Sequence, residues 1–257
     1  IVHKKGENDS VHIYDWTHAA GTLTLVKTVP FPVSYTLNGI VALSGDRFFV
    51  SQDMRFSPGP LQEIERLLRL PFGKVWYYDG KSEAPRVARE DILYPNGLAV
   101  SPDEKYLYLA SMTGRSLIVY DLSFNEAKDA VLKWQREWRL KTAPDNLKWV
   151  GDRLVSGTHR QLLTLLMHSL NPRRYRAPSQ VIGISGLPNA ADIEEWHMTR
   201  KGGVEAVATA LPLKTGNRLV MGSIYGTGLL DCDASPVIPP EDDPFSGTDE
   251  LTHEGTP

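Results

Sequence analysis

The sequence predicts an all-β protein assembled from repeated antiparallel sheets, and three observations predict it. One hairpin phrase recurs four times. Eighteen Pro and 21 Gly punctuate short runs rich in Val, Leu, Tyr and Phe, and only two segments follow a helical pattern. The phrase is an apolar strand, a turn built on Gly, Pro, Asp or Asn, and a second apolar strand. Its copies are Asn38–Val50, Asn96–Leu109, Asp145–Val155 and Ala208–Met221, and their turn residues Asp46, Asp103, Asp152 and Asn217 stand 57, 49 and 65 residues apart. A hairpin returning at such an interval marks the blades of a β-propeller, each a four-stranded sheet.

Further strands complete the blades: Val11–Tyr14, Leu23–Val29, Lys74–Tyr78, Leu117–Tyr120 and Leu229–Cys232, the last two pairing with the hairpins just upstream. Each repeat uses about 58 residues, so a ring of six would need roughly 340. The expectation is therefore a six-bladed propeller of which about four blades, the C-terminal two-thirds, occupy residues 1–233. A start at Ile1, directly on a strand and with no room for a signal peptide, fits that expectation.

Two segments depart from the β pattern. Leu61–Leu70 sets Leu61, Ile64, Leu67 and Leu68 on one stripe and is closed by Pro71, which predicts an amphipathic helix; Arg160–Leu170 is a shorter candidate closed by Asn171-Pro172. Such helices either pack on the blades or form a lid or a lipid-contacting surface over one mouth of the ring.

The whole chain has 257 residues, 41% hydrophobic and 23% charged, with a net charge of -3, which is ordinary for a globular protein. Its charge is uneven. Residues 234–257 carry six acidic residues, no Lys or Arg and several prolines, and read as a disordered acidic tail; the remaining body is near +3. No basic patch is interleaved with aromatics, so nothing argues for a nucleic-acid partner. No apolar run reaches the roughly 18 residues of a membrane-spanning helix. Zinc spacings, a G-x-S-x-G elbow, a P-loop and a G-x-G-x-x-G turn are all missing, which argues against structural zinc, a serine hydrolase and a nucleotide binder.

Chemistry concentrates at the head of the repeats. Asn38, Asn96 and the pair Asp145-Asn146 each stand immediately before the innermost strand, at the same phase of three successive blades. In a propeller those positions face the central tunnel, where four side-chain oxygens would converge. Oxygen donors converging without Cys or His suit calcium. Asn-Gly at Asn38 and at Asn96 is also ordinary turn chemistry, the alternative reading of either pair alone.

With these phrases in view, the chain resembles the paraoxonases, calcium-dependent six-bladed propellers that hydrolyse lactones and aryl esters. The resemblance runs from about Ile1 to Cys232 and is most specific at Leu37–Ala42, Pro95–Asp103 with Lys105–Tyr108, Asp145–Leu147 and Leu219–Ser223. It implies that Asn38, Asn96, Asp145 and Asn146 are ligands of a catalytic calcium whose remaining Glu ligand lies outside these residues. It places His3 at, or one residue from, a member of the family's His pair, Tyr94 and His159 in the substrate pocket, and Leu61–Leu70 on the helix that roofs the pocket and contacts lipid. Cys232 falls on one half of the family's disulfide. Two departures matter: Gly39 stands where the family usually has an Asp ligand of a second, structural calcium, and the partner of Cys232 would lie outside these residues, the alternative being a buried free thiol. The resemblance also implies a secreted or secretory-pathway protein, with which the sequon Asn8-Asp9-Ser10 is compatible.

The chemistry so implied is ester or lactone hydrolysis: the ion polarises the carbonyl and stabilises the oxyanion while a neutral His, with an ordinary pKa near 6.5, takes a proton from water. Two rivals remain, a non-catalytic or degenerate binding propeller and a gluconolactonase-like sugar lactonase. As it stands the chain is expected to hydrolyse poorly or misfold alone.

Overall fold

The computed structural model describes residues 1–199, 204–213 and 218–233. The expected turn at Gly216-Asn217 and the expected tail 234–257 lie outside the described residues. Within them, β1 (Ser10–Thr17) and β2 (Thr22–Pro30) pair as a hairpin. A four-stranded sheet follows, β3 (Leu37–Ala42), β4 (Phe48–Gln52), β5 (Gly73–Tyr78) and β6 (Arg86–Ile92). The next is β7 (Pro95–Val100), β8 (Tyr106–Ser111), β9 (Ser116–Phe124) and β10 (Ala130–Arg139), and then β11 (Ala143–Val150), β12 (Arg153–His159), β13 (Ser179–Ser185) and β14 (Asp192–Thr199). The last sheet has three strands, β15 (Val207–Leu213), β16 (Arg218–Ser223) and β17 (Leu229–Asp233). Each is an antiparallel meander of the propeller-blade type, with neighbours in the sheet also neighbours in the chain. Helices α1 (Pro60–Leu68) and α2 (Leu162–Leu170) are inserted at the same place in two blades, between the second and third strands.

The chain divides into two compact units, Ile1–Leu107 with Tyr120–Trp134, and Tyr108–Val119 with the residues from Gln135 on. In the first, Val11, Val29 and Phe31 of the hairpin region pack against Leu37, Phe48, Val50, Trp76 and Tyr78 of the next sheet. In the second, Val155 and Val181 pack against Val207, Ala210, Leu219 and Met221. Sheets stacked face to face leave their inner strands buried on both sides, which is why β4 and β7 are buried along their whole length, the polar Ser51, Gln52 and Asn96 included. Each such Val, Leu or Phe contributes about 1.5–3 kcal/mol by leaving water. The outer strand β6 is largely exposed and charged. Strands β6, β10, β13 and β14 were not among those expected, and β1 and β9 run further than expected.

The turn residues behave as their chemistry requires. Gly45 and Asp46 both take positive φ, 70° and 60°, as a tight two-residue hairpin turn demands. Helix α1 begins with Pro60 at its first turn and stops at Leu68, two residues earlier than expected, where Arg69 turns left-handed (φ 52°) ahead of Pro71.

Its orientation is the larger surprise. Gln62 and Glu65 are the buried residues of α1, whereas Leu61, Ile64, Leu67 and Leu68 are 49–75% exposed. Glu65 accepts hydrogen bonds from the backbone N–H groups of Arg55 and Phe56, and Gln62 Nε2 donates to Phe56 O at 3.0 Å. The polar face is the anchor, and the apolar stripe points to solvent. In α2, Leu163 and Leu170 are likewise exposed, and Leu165 and His168 are buried.

Candidate functional site

The heads of the inner strands are irregular. Pairing of β3 with β4 shifts register between Leu37 and Ile40, at Asn38-Gly39, and pairing of β11 with β12 shifts between Pro144 and Leu147, at Asp145-Asn146. A bulge inserts an unpaired residue and re-aims its side chain, which is how consecutive Asp145 and Asn146 can both leave the ladder.

In the first unit, Gly39 lies hard against β7: a Cβ built on it would fall 2.4 Å from Asn96 O. Ser51 Oγ accepts from Gly39 N at 2.8 Å and donates to Asn96 O at 2.6 Å, fastening β3, β4 and β7 together. Asn38 and Asn96 are thereby brought onto adjoining strands, Asn38 half-buried and Asn96 3% exposed. Asn38 Nδ2 donates to Asp53 Oδ2 at 3.0 Å, which turns its Oδ1 away as an acceptor. Burial pushes the Asp53 carboxyl up to about 6, against the opposing pull of the Asn38 hydrogen bond and of Arg66. Sequence reasoning missed Asp53; the signal was its place directly after β4, one hairpin beyond Asn38.

His3 sits in this unit too. Its Nδ1 is 2.8 Å from Asp9 Oδ1, and its ring stacks on Tyr35 with centroids 5.6 Å apart. Tyr94 precedes β7, half-buried and held at φ 43°, a conformation uncommon outside Gly. A cavity of about 370 Å³ in the same unit is lined by Gln52, Arg55, Phe72, Lys74, Trp76 and Glu90 among others, and Tyr94 is not part of its wall.

In the second unit, Asp145 and His159 are both buried, with Asp145 Oδ2 2.9 Å from His159 Nε2. Asn146 Nδ2 donates to Asp145 Oδ1 at 3.3 Å and to Ala208 O at 3.4 Å. His159 Nδ1 is buried with no hydrogen-bond partner among the described residues. Gly157 permits another close approach, since a Cβ there would fall 2.4 Å from the Ala208 carbonyl carbon. The expected pocket residue His159 is thus paired with an expected metal ligand.

The amides of Asn38 and Asn96 in the first unit, and the Asp145 carboxylate with the Asn146 amide in the second, are each oxygen donors of the kind a hard cation such as calcium takes. Among the described residues no group of three or more His, Cys, Asp or Glu is placed to hold a metal ion. Cys232, the single cysteine, is a half-buried thiol 3.5 Å from Leu219 O, so no disulfide forms within the chain. No helix among the described residues is long and apolar enough to cross a membrane.

The family model described as arylesterase matches residues 1–229. Mechanosensory abnormality protein 6 of Caenorhabditis elegans is 24% identical over 238 residues, covering 91% of this chain and 61% of that protein. Human serum paraoxonase/arylesterase 1 is 30% identical over 125 residues, covering 49% of this chain and 35% of that protein. The chain thus spans less than two-thirds of the length of these relatives. Among solved structures, a putative 6-phosphogluconolactonase from Bacteroides uniformis aligns over 96% of this chain and 79% of its own with a TM-score of 0.49 and 12% identity.

Proposed function

The chain belongs to the arylesterase family, and on that premise we propose that it is the greater part of a calcium-dependent hydrolase of lactones and aryl esters, built as a six-bladed propeller. The observation that carries the reading is the pair of bulges at Asn38-Gly39 and Asp145-Asn146, which free amide and carboxylate oxygens at the heads of two inner strands. Asn38, Asn96, Asp145 and Asn146 would hold the calcium. When bound, the ion supplies Lewis acidity toward a carbonyl oxygen.

The protein's own groups do the rest. Asp145 balances cationic charge and is steadied through Oδ2 by His159. Asn38 is oriented by Asp53. His3, hydrogen-bonded through Nδ1, keeps Nε2 to take a proton from water. Tyr94 and His159 border the substrate, and the exposed leucines of α1 offer a lipid surface. Cys232 would pair with a cysteine outside these residues, in a secretory compartment.

The test is hydrolysis of phenyl acetate and of a δ-lactone with calcium, with EDTA, and after calcium is returned. Loss on chelation and recovery on return support the reading; turnover indifferent to chelation ends it. A second reading, a propeller that binds without catalysis, is favoured by one finding: the match covering 91% of the chain is to a protein whose name records a mechanosensory defect. Calcium binding without turnover of any ester or lactone would select it.

A further inference from the structure

We propose that Asp9 is the positioning residue of the site, an anion that fixes the tautomer and orientation of His3; the proposal rests on the reading of His3 as the base. Asp9 is fully buried. Its Oδ2 accepts from Thr36 N at 3.0 Å and Leu37 N at 3.1 Å, and its Oδ1 from Tyr35 N at 2.8 Å. Burial alone would raise the carboxyl's pKa, but the His3 hydrogen bond and these three backbone donors outweigh it and hold Asp9 below the usual carboxylate range. An ionised carboxylate only accepts. The nitrogen facing it, His3 Nδ1, must therefore carry a hydrogen, and in the neutral ring the lone pair is left on Nε2.

The rest of the surroundings hold the same geometry. The His3 ring lies nearly parallel to Tyr35, at 16°, and Tyr35 keeps a left-handed backbone (φ 56°) while its N–H points at Asp9. Mutual backbone bonds between Val2 and Ser10, at 2.8 and 3.1 Å, fold the His3 segment back onto β1. With the three backbone N–H donors, the His3 bond completes four contacts on the two Asp9 oxygens, and the backbone donors fix the carboxylate against which the ring is held. Those donors are Tyr35, Thr36 and Leu37, the residues leading directly into Asn38, so one carboxylate ties the base to the strand that carries an expected ligand.

The experiment is long-range proton–nitrogen NMR on the full chain labelled with 15N-histidine, His3 being assigned by its loss in His3→Gln. A stable Nδ1–H tautomer for His3 near neutral pH is the expected result, and a predominantly Nε2–H ring overturns the proposal. Asp9→Asn should release the ring toward the Nε2–H form. The kinetic arm is a double-mutant cycle on phenyl acetate with calcium. Asp9→Asn should lower kcat by at least ~10-fold with little change in KM in the wild-type background and by nothing further in the His3→Gln background. An equal loss in both backgrounds makes Asp9 merely structural and overturns the proposal. If His3→Gln leaves turnover intact, the assignment of the base fails instead, and the NMR arm still decides whether Asp9 sets the tautomer.

Discussion

Two Asp–His pairs, one in each compact unit, are built to opposite plans. Asp9 has its oxygens taken up by three backbone N–H groups and His3, and the imidazole it serves is at the surface. Asp145 has His159 on one oxygen and only the long 3.3 Å contact from Asn146 on the other, and both members of its pair are buried. A carboxylate with four donors has little left to offer a cation, whereas one with lone pairs to spare can ligate. On the proposed function, the same two residue types would serve as a mount for a base in one place and as a steadied ligand in the other.

The largest effect expected from breaking this contrast is at Asp145. Asp145→Ala or Asn96→Ala should reduce ester hydrolysis by more than ~100-fold and abolish the rise in Tm that calcium produces, whereas His3→Gln should cost far less and leave that rise intact; titration of Tm with calcium and initial rates would check both. Next comes His159→Gln, which should weaken calcium binding by about 10-fold, since it removes the partner that orients Asp145; isothermal titration with calcium reads it. Gly39→Ala should lower stability by roughly 1–3 kcal/mol through overpacking against β7, as chemical denaturation would show.

The smallest effects are in pH, and they have opposite signs. Asp9 is held below its ordinary value in the fold, so its contribution to stability is present above about pH 4 and is lost as pH falls through its folded pKa. Asp53 is pushed from 3.8 to about 6, so the folded state keeps its proton longer than the unfolded chain and stability falls as pH rises from about 4 to 6. Acid melts of Asp9→Asn and Asp53→Asn in EDTA, compared with wild type, should show the first difference vanish at low pH and the second appear only as the pH rises.

The repeats and the heads of the inner strands were legible because both are local. A turn residue and the amide near the start of a strand are read from a dozen neighbouring positions, although Asn38, Asn96 and Asp145-Asn146, expected just before the inner strands, lie within the first four residues of β3, β7 and β11. The role of Asp9 was not legible, since its backbone donors lie 26 to 28 residues away and carry no side-chain signature. Strand β6, with the sequence RVAREDI, hides behind its charges because an outer edge is wet. Helix α1 shows a different limit. Periodicity revealed the stripe of leucines but could not say which face was inward, because that was decided by Glu65 binding the N–H groups of a loop ten residues upstream.

The close approach at Gly39 also limits what that position can hold. Any side chain there, including the Asp that the family resemblance leads one to expect, would bring a Cβ to 2.4 Å from Asn96 O. Strand β7 would have to retreat to admit it. Gly39 therefore works as a spacer: the missing side chain sets how closely β3 and β7 can run at this point.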